Sequence, residues 1–212
     1  MQSIVCVFTL ALHCASSFEN SGAPLRSYYA TTVVGLEGIL AREVRSLADA
    51  TDVKVAKGGV FFKGSEKTAF DGLLWFRSCL RLMERIGDDG HGIFNKDDLY
   101  DFCESFDWTK ILNPHATIKC DTVIGEATGE LSHSHFSSLT VKDAIIDHFR
   151  SRSSSLLPTV ATRDPDVCIH LYLHRGKATI FKDLSGEFSL HKRGYRDKVH
   201  KAALRETTAA AL

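Results

Sequence analysis

From residue 28 onward, apolar and polar positions follow two periods in turn, and the switches between them mark the elements. Tyr29–Val34 is rich in β-branched and aromatic residues and predicts a strand. Leu36, Ile39, Leu40, Val44 and Leu47 then recur at helical spacing with charges between them. Asp52–Ala56 alternates, Lys57–Gly58–Gly59 supplies a turn, and Val60–Lys63 continues as a second strand of the pair. Ser65 is placed to cap a helix from Glu66 to Arg77, whose apolar residues include Phe70, Leu73, Leu74 and Phe76. Gly72 weakens that helix slightly. Cys79–Ile86 predicts a further strand.

Gly87–Gly92 reads as a glycine- and aspartate-rich break and the expected boundary between two units. Beyond it, Lys96–Ser105 predicts a short acidic helix with Leu99, Phe102 and Cys103 on one side, docked by Trp108, Ile111 and Leu112. Asn113–Pro114 turns the chain into a strand at Thr117–Val123, and Gly125–Ser138 reads as irregular. Thr140–Asp143 resembles a capping box. It is expected to open a helix with Val141, Ala144, Ile145, His148 and Phe149 on one face and Lys142 off that face. After a Ser- and Arg-rich loop at Arg150–Ser155, Val167, Ile169, Leu171 and Leu173 alternate with Cys168, His170, Tyr172 and His174. Arg175–Gly176 predicts a tight hairpin turn, with Lys177–Asp183 returning antiparallel. The first unit, over 28–86, has the order β-α-β-β-α-β, the ferredoxin-like arrangement. The second, over 87–196, is also an α+β unit, so the fold class is α+β throughout.

Charge adds a local signal. The chain of 212 residues has a net charge of zero, so affinity for a polyanion cannot come from overall charge. The distribution is uneven: Glu84–Asp107 holds eight acidic and two basic residues, while Ser185–Leu212 holds six basic and three acidic. The basic end contains Lys192-Arg193-Gly194-Tyr195-Arg196, followed by Lys198. Arg and Lys there can contact phosphates, and Tyr195 can stack on an unpaired base. Gly194 lets the backbone turn sharply or approach a ligand closely. In the competing structural reading, Tyr195 packs on the sheet and Arg193 bridges to Asp183.

Other chemistry is weaker. His133 and His135 lie in a polar segment with no carboxylate at a useful spacing, so no metal site is assigned. His170 and His174 share a strand face but are expected to be well separated. Asp97, Asp98 and Asp101 read as a solvated helix face. No nucleophile elbow and no phosphate-cradling loop is present. The six cysteines form no Cys-x-x-Cys pair and read as reduced, mostly buried residues. No apolar run is long enough to span a bilayer, so no membrane association is expected in the mature form. Residues 1–27 differ from the rest: Ile4–Leu12 is a short apolar core followed by small residues. Ala15-Ser16-Ser17-Phe18 resembles the junction of bipartite plastid presequences in algae with complex plastids. The expected location is therefore a plastid, or the mitochondrion or cytoplasm if this start is a gene-model artefact.

Five segments carry a family resemblance: Tyr29–Glu37, Gly58–Gly64, Val141–Asp147, Asp183–Gly186 and Leu190–Arg196. In this order and spacing, they resemble the N-terminal part of bacterial-type ribosomal large-subunit RNA guanine-N2 methyltransferases. The resemblance implies a ferredoxin-like domain followed by a THUMP domain, an RNA-binding module that presents structured ribosomal RNA. It implies a Rossmann-like domain that binds S-adenosylmethionine and methylates a guanine amine. That domain is expected to follow residues 197–212, which look like the start of its entry helix, and it is absent from this chain. No catalytic or cofactor residue therefore carries over. The candidate RNA contacts are Lys142, Arg193, Tyr195 and Arg196, with Lys192 and Lys198 beside them. The alternative is a standalone, non-catalytic THUMP adaptor for a separate RNA-modifying enzyme.

Overall fold

The computed structural model describes residues 24–127, 129–152, 156–195 and 203–212. Of the presequence reading over 1–27, residues 1–23 lie outside the described residues, as do Arg196 and Lys198. Its end at 27 needs correction, because Arg26 and Ser27 already pair with Gly64 and Lys63 as the start of the first strand.

The first unit is β1 (Arg26–Thr31), α1 (Glu37–Arg45), β2 (Thr51–Ala56), β3 (Gly59–Gly64), α2 (Glu66–Trp75) and β4 (Arg81–His91). The second is α3 (Lys96–Glu104), a single 3-10 turn at Trp108–Lys110, β5 (Thr117–Glu126), α4 (Ser134–Ser151), β6 (Thr159–Val160), β7 (Val167–His174) and β8 (Lys177–Asp183). A short helix α5 (Glu206–Ala209) closes the described chain.

All eight strands form one sheet in the order β2-β3-β1-β4-β8-β7-β5-β6. In the first half each neighbour pair is antiparallel. α1 connects β1 to β2 across β3, and α2 connects β3 to β4 across β1, which is the ferredoxin-like topology. In the second half β5 pairs parallel with β6 and β7, and β7 turns back antiparallel to β8. The β7–β8 turn has Arg175 at φ 50° and Gly176 at φ 69°, as a two-residue turn between right-twisted strands requires.

Alternation along the strands places all four long helices on one sheet face. Tyr28, Ala30, Val60, Phe62 and Leu82 meet Leu40, Ala41 and Val44 of α1 in one core. Ile118, Ile169, Leu171 and Ile180 meet Val141, Ala144, Ile145 and Phe149 of α4 in the other. Trp108 is fully buried in this second core and donates its indole N–H to the Cys103 carbonyl at 2.8 Å, so its one polar group is satisfied.

Two further expectations need correction. Gly87–Gly92 is not a break: β4 runs through to His91, with a register shift between Ile86 and Gly90, and joins both halves by pairing with β8. The glycines serve close approach instead. A Cβ at Gly87 would lie 2.4 Å from the Phe106 ring, and one at Gly90 2.6 Å from Phe102. Likewise the helix expected at Thr140 starts at Ser134, inside the stretch expected to be irregular. Thr140 is an interior residue whose hydroxyl donates to the Phe136 carbonyl at 3.0 Å rather than capping an end.

Candidate nucleic-acid interface

After β8 the chain does not leave the sheet. Asp183 accepts from the backbone N–H of Ser185 at 2.7 Å, bending the chain back. The Leu184 and Leu190 amides then donate to the carbonyls of Leu82 and Leu80, at 2.9 and 2.8 Å. Leu184 and Leu190 pack against the core of the first half. The second half thus sends its C-terminal extension onto the first.

That return sets the place of Arg193. Its guanidinium donates from Nη1 to the Leu74 carbonyl at 3.3 Å and from Nη2 to the Phe76 carbonyl at 2.8 Å. These carbonyls flank Trp75, the last residue of α2. α2 has no basic residue in its own last turn. Carbonyls at a helix C-terminus lack intrahelical donors and carry partial negative charge, so a guanidinium from elsewhere is favoured there. Arg193 fills that role and does not bridge to Asp183, whose cation is Arg81, with Nη1 at 2.6 Å.

Around this contact the surface is aromatic and cationic. Trp75 is 72% exposed and Tyr195 67% exposed, an unusual state for rings of that size. Phe188 is also exposed, with the Lys192 ammonium 5.5 Å from its ring centre, close enough for a cation–π contact. Arg77 and Lys192 are exposed beside them. Trp75 and Phe188 were not singled out in the sequence. Helical spacing groups Trp75 with core-facing positions, and only the tail's return shows that it faces out beside Arg193. Lys142 stands apart. It lies on α4, which covers β5, and pairs with Asp143 at 2.6 Å.

Beneath the return lies a polar cluster that the sequence did not reveal as a unit. The Asp183 side chain is 0% exposed and contacts Arg81 and, at 3.1 Å, His170 Nε2. Burial alone raises its carboxyl. The His170 hydrogen bond, the Ser185 N–H and the Arg81 charge together outweigh burial and hold it below the usual range. Burial leads the causes that lower the pKa of His191, which shares a hydrogen bond with Ser189 Oγ at 2.9 Å. Among the described residues no group of His, Cys, Asp and Glu side chains has the grouping of a metal site. No helix there is long and apolar enough to cross a membrane.

Comparison with known proteins adds identity to this geometry. A family model described as the RlmL ferredoxin-like domain matches residues 27–83, and one described as the THUMP domain matches residues 95–183. Three solved structures share the fold. A predicted N6-adenine-specific DNA methylase from Listeria monocytogenes str. 4b F2365 has a TM-score of 0.77 and 27% identity, over 89% of this chain and 47% of its own. A possible methylase from Clostridium difficile 630 has a TM-score of 0.76 and 25% identity, over 89% and 48%. SMU.472, a putative methyltransferase complexed with SAH, has a TM-score of 0.75 and 25% identity, over 90% and 48%. The chain spans about half the length of these relatives.

Proposed function

The chain carries an RlmL-type ferredoxin-like domain followed by a THUMP domain, and from that pairing we propose that it is the RNA-holding portion of a ribosomal RNA guanine-N2 methyltransferase. It binds structured large-subunit ribosomal RNA and presents a guanine to a catalytic domain not contained in these 212 residues. That domain would bind S-adenosylmethionine and pass its methyl group to the exocyclic amine. The methylase relatives, one of them solved with SAH, support this reading.

The observation that carries the RNA assignment is the returning tail. Arg193 bonds the end of α2, which brings Lys192 and Tyr195 to the side of Trp75 with rings and charge exposed. Cations there neutralise backbone phosphates, and exposed rings stack on unpaired bases whatever their identity. Arg196 and Lys198 continue the same basic run in sequence and extend the proposed contact. Lys142 would meet a different part of the RNA, over α4.

A hairpin RNA from the large subunit should bind with a steep salt dependence, and Lys192→Ala should reduce the slope of log K against log salt by about one. Equal affinity for RNA and for DNA duplex of the same sequence, with an unchanged slope, would refute the reading. With labelled S-adenosylmethionine, the chain alone should methylate nothing above background. The same proposal assigns residues 1–25, ahead of β1, to plastid targeting; a fluorescent protein carrying them that stays in the cytosol would overturn it.

A further inference from the structure

The sheet face opposite the helices carries a cleft of its own, across β2, β3, β4 and β8. It encloses about 270 Å³ and is lined by Lys54, Phe61, Lys63, Arg85, Asp89 and Thr179 among others. Phe61 is stacked on Tyr29, with ring centres 4.3 Å apart, and Tyr29 lies 5.8 Å from Phe181. Three rings from β3, β1 and β8 therefore run in a row across the sheet and open at Phe61 into the cleft.

The polar groups are arranged unevenly. Lys63 pairs with Asp52 at 2.8 Å, and Arg85 Nη2 pairs with Asp89 at 3.0 Å. Thr179 donates its hydroxyl to the same Asp89 at 2.6 Å. Two features are left over. Lys54, exposed on the edge strand beside Phe61, is in no salt bridge among the described residues. Arg85 Nε is a buried N–H donor without an acceptor. Such donors nearly always have a partner, so this side chain is incompletely satisfied by the cleft's own residues.

We propose that this cleft takes one unpaired nucleotide of an RNA strand, with its base against Phe61 beside the partly exposed Arg85 side chain and its phosphate on Lys54 and Lys63. An aromatic face supplies sequence-tolerant stacking, and surplus positive charge supplies phosphate affinity. Asp52 and Asp89 hold Lys63 and Arg85 in place. The inference rests on the RNA-binding reading only for the kind of polymer. Arg193 docks on α2, on the helix-covered face, whereas the cleft lies on the other face, so the two surfaces are tested separately.

Three labelled probes distinguish them by fluorescence anisotropy: a blunt RNA hairpin, the same hairpin with a single-stranded 3′ overhang, and a short single-stranded RNA alone. The overhang should tighten binding, and Phe61→Leu should weaken the two single-stranded probes by roughly 5- to 100-fold, the range expected for one lost stacking contact. Lys54→Ala, an exposed change that does not threaten folding, should weaken the same two probes and lower their salt slope by about one. Neither variant should change blunt-hairpin affinity. Unchanged single-strand binding in both variants overturns the cleft even if the hairpin binds. Failure of the hairpin while single strands bind through Phe61 overturns the tail interface and leaves the cleft standing.

Discussion

In the THUMP half, α3 and α4 pack on each other as well as on the sheet, and Tyr100 donates to Asp147 across them at 3.1 Å. In the N-terminal half, α1 is joined to the end of α2 by one carboxylate: Glu43 accepts from the amides of Arg77, at 2.9 Å, and Ser78, at 3.2 Å. The THUMP helical layer is closed by its own residues. The N-terminal layer is completed by Leu184, Leu190 and Arg193, which follow the last THUMP strand in sequence. The half that borrows residues is also the half that displays Trp75 and Tyr195. A surface finished from a distance depends on both halves being folded, so the geometry of the proposed RNA contact depends on their junction.

The largest expected effect tests that dependence at the closed layer. Trp108→Ala should cost about 3–5 kcal/mol, as truncation of a buried large aromatic does. Denaturation should still show one transition, because β4 and β8 share a ladder across the junction. A second transition for an intact N-terminal half would show that the halves are independent.

Next comes the junction itself. Asp183→Ala leaves Arg81 and His170 without their shared acceptor and should cost about 3 kcal/mol. The folded-state Asp183 carboxyl is held below its unfolded value. Its contribution is therefore present above about pH 4 and is lost as pH falls through the lower folded value. Stability measured against pH should decline on that acid limb in the wild type, and the decline should be shallower in Asp183→Ala.

A smaller effect is expected at the borrowed cap. Arg193→Ala should cost about 1 kcal/mol, the scale of a cation at a helix C-terminus. Amide exchange should rise in the last turn of α2 and leave α4 unchanged. The smallest effect is chemical. Burial pushes the Cys103 and Cys120 thiols up to about 12, so neither should react with a neutral-pH thiol reagent until the protein unfolds.

The hairpin at Arg175–Gly176, the β7 alternation and the βαββαβ order were legible in the sequence, because each rests on local periodicity and turn chemistry. The start of α4 was not. Ser134–Ser138 is polar, and Ser137 is buried only because α4 lies along β5, where Ser138 donates to Thr122 at 2.8 Å. Gly87 and Gly90 misled for a related reason: their lack of side chains answers to Phe106 and Phe102, which lie more than ten residues on. Of the site, the basic-aromatic tail was legible as composition. Its dock on α2, the exposure of Trp75 and the cleft at Phe61 are long-range products of the fold, with no local pattern to announce them.

The most direct measurement is the affinity of a large-subunit hairpin RNA for wild type and for the double variant Lys192→Ala/Tyr195→Ala, two exposed positions that leave the Arg193 cap intact. Loss of one phosphate contact and one stacking contact predicts binding at least about tenfold weaker, with unchanged thermal stability. Affinity equal to wild type in the folded double variant would contradict the account.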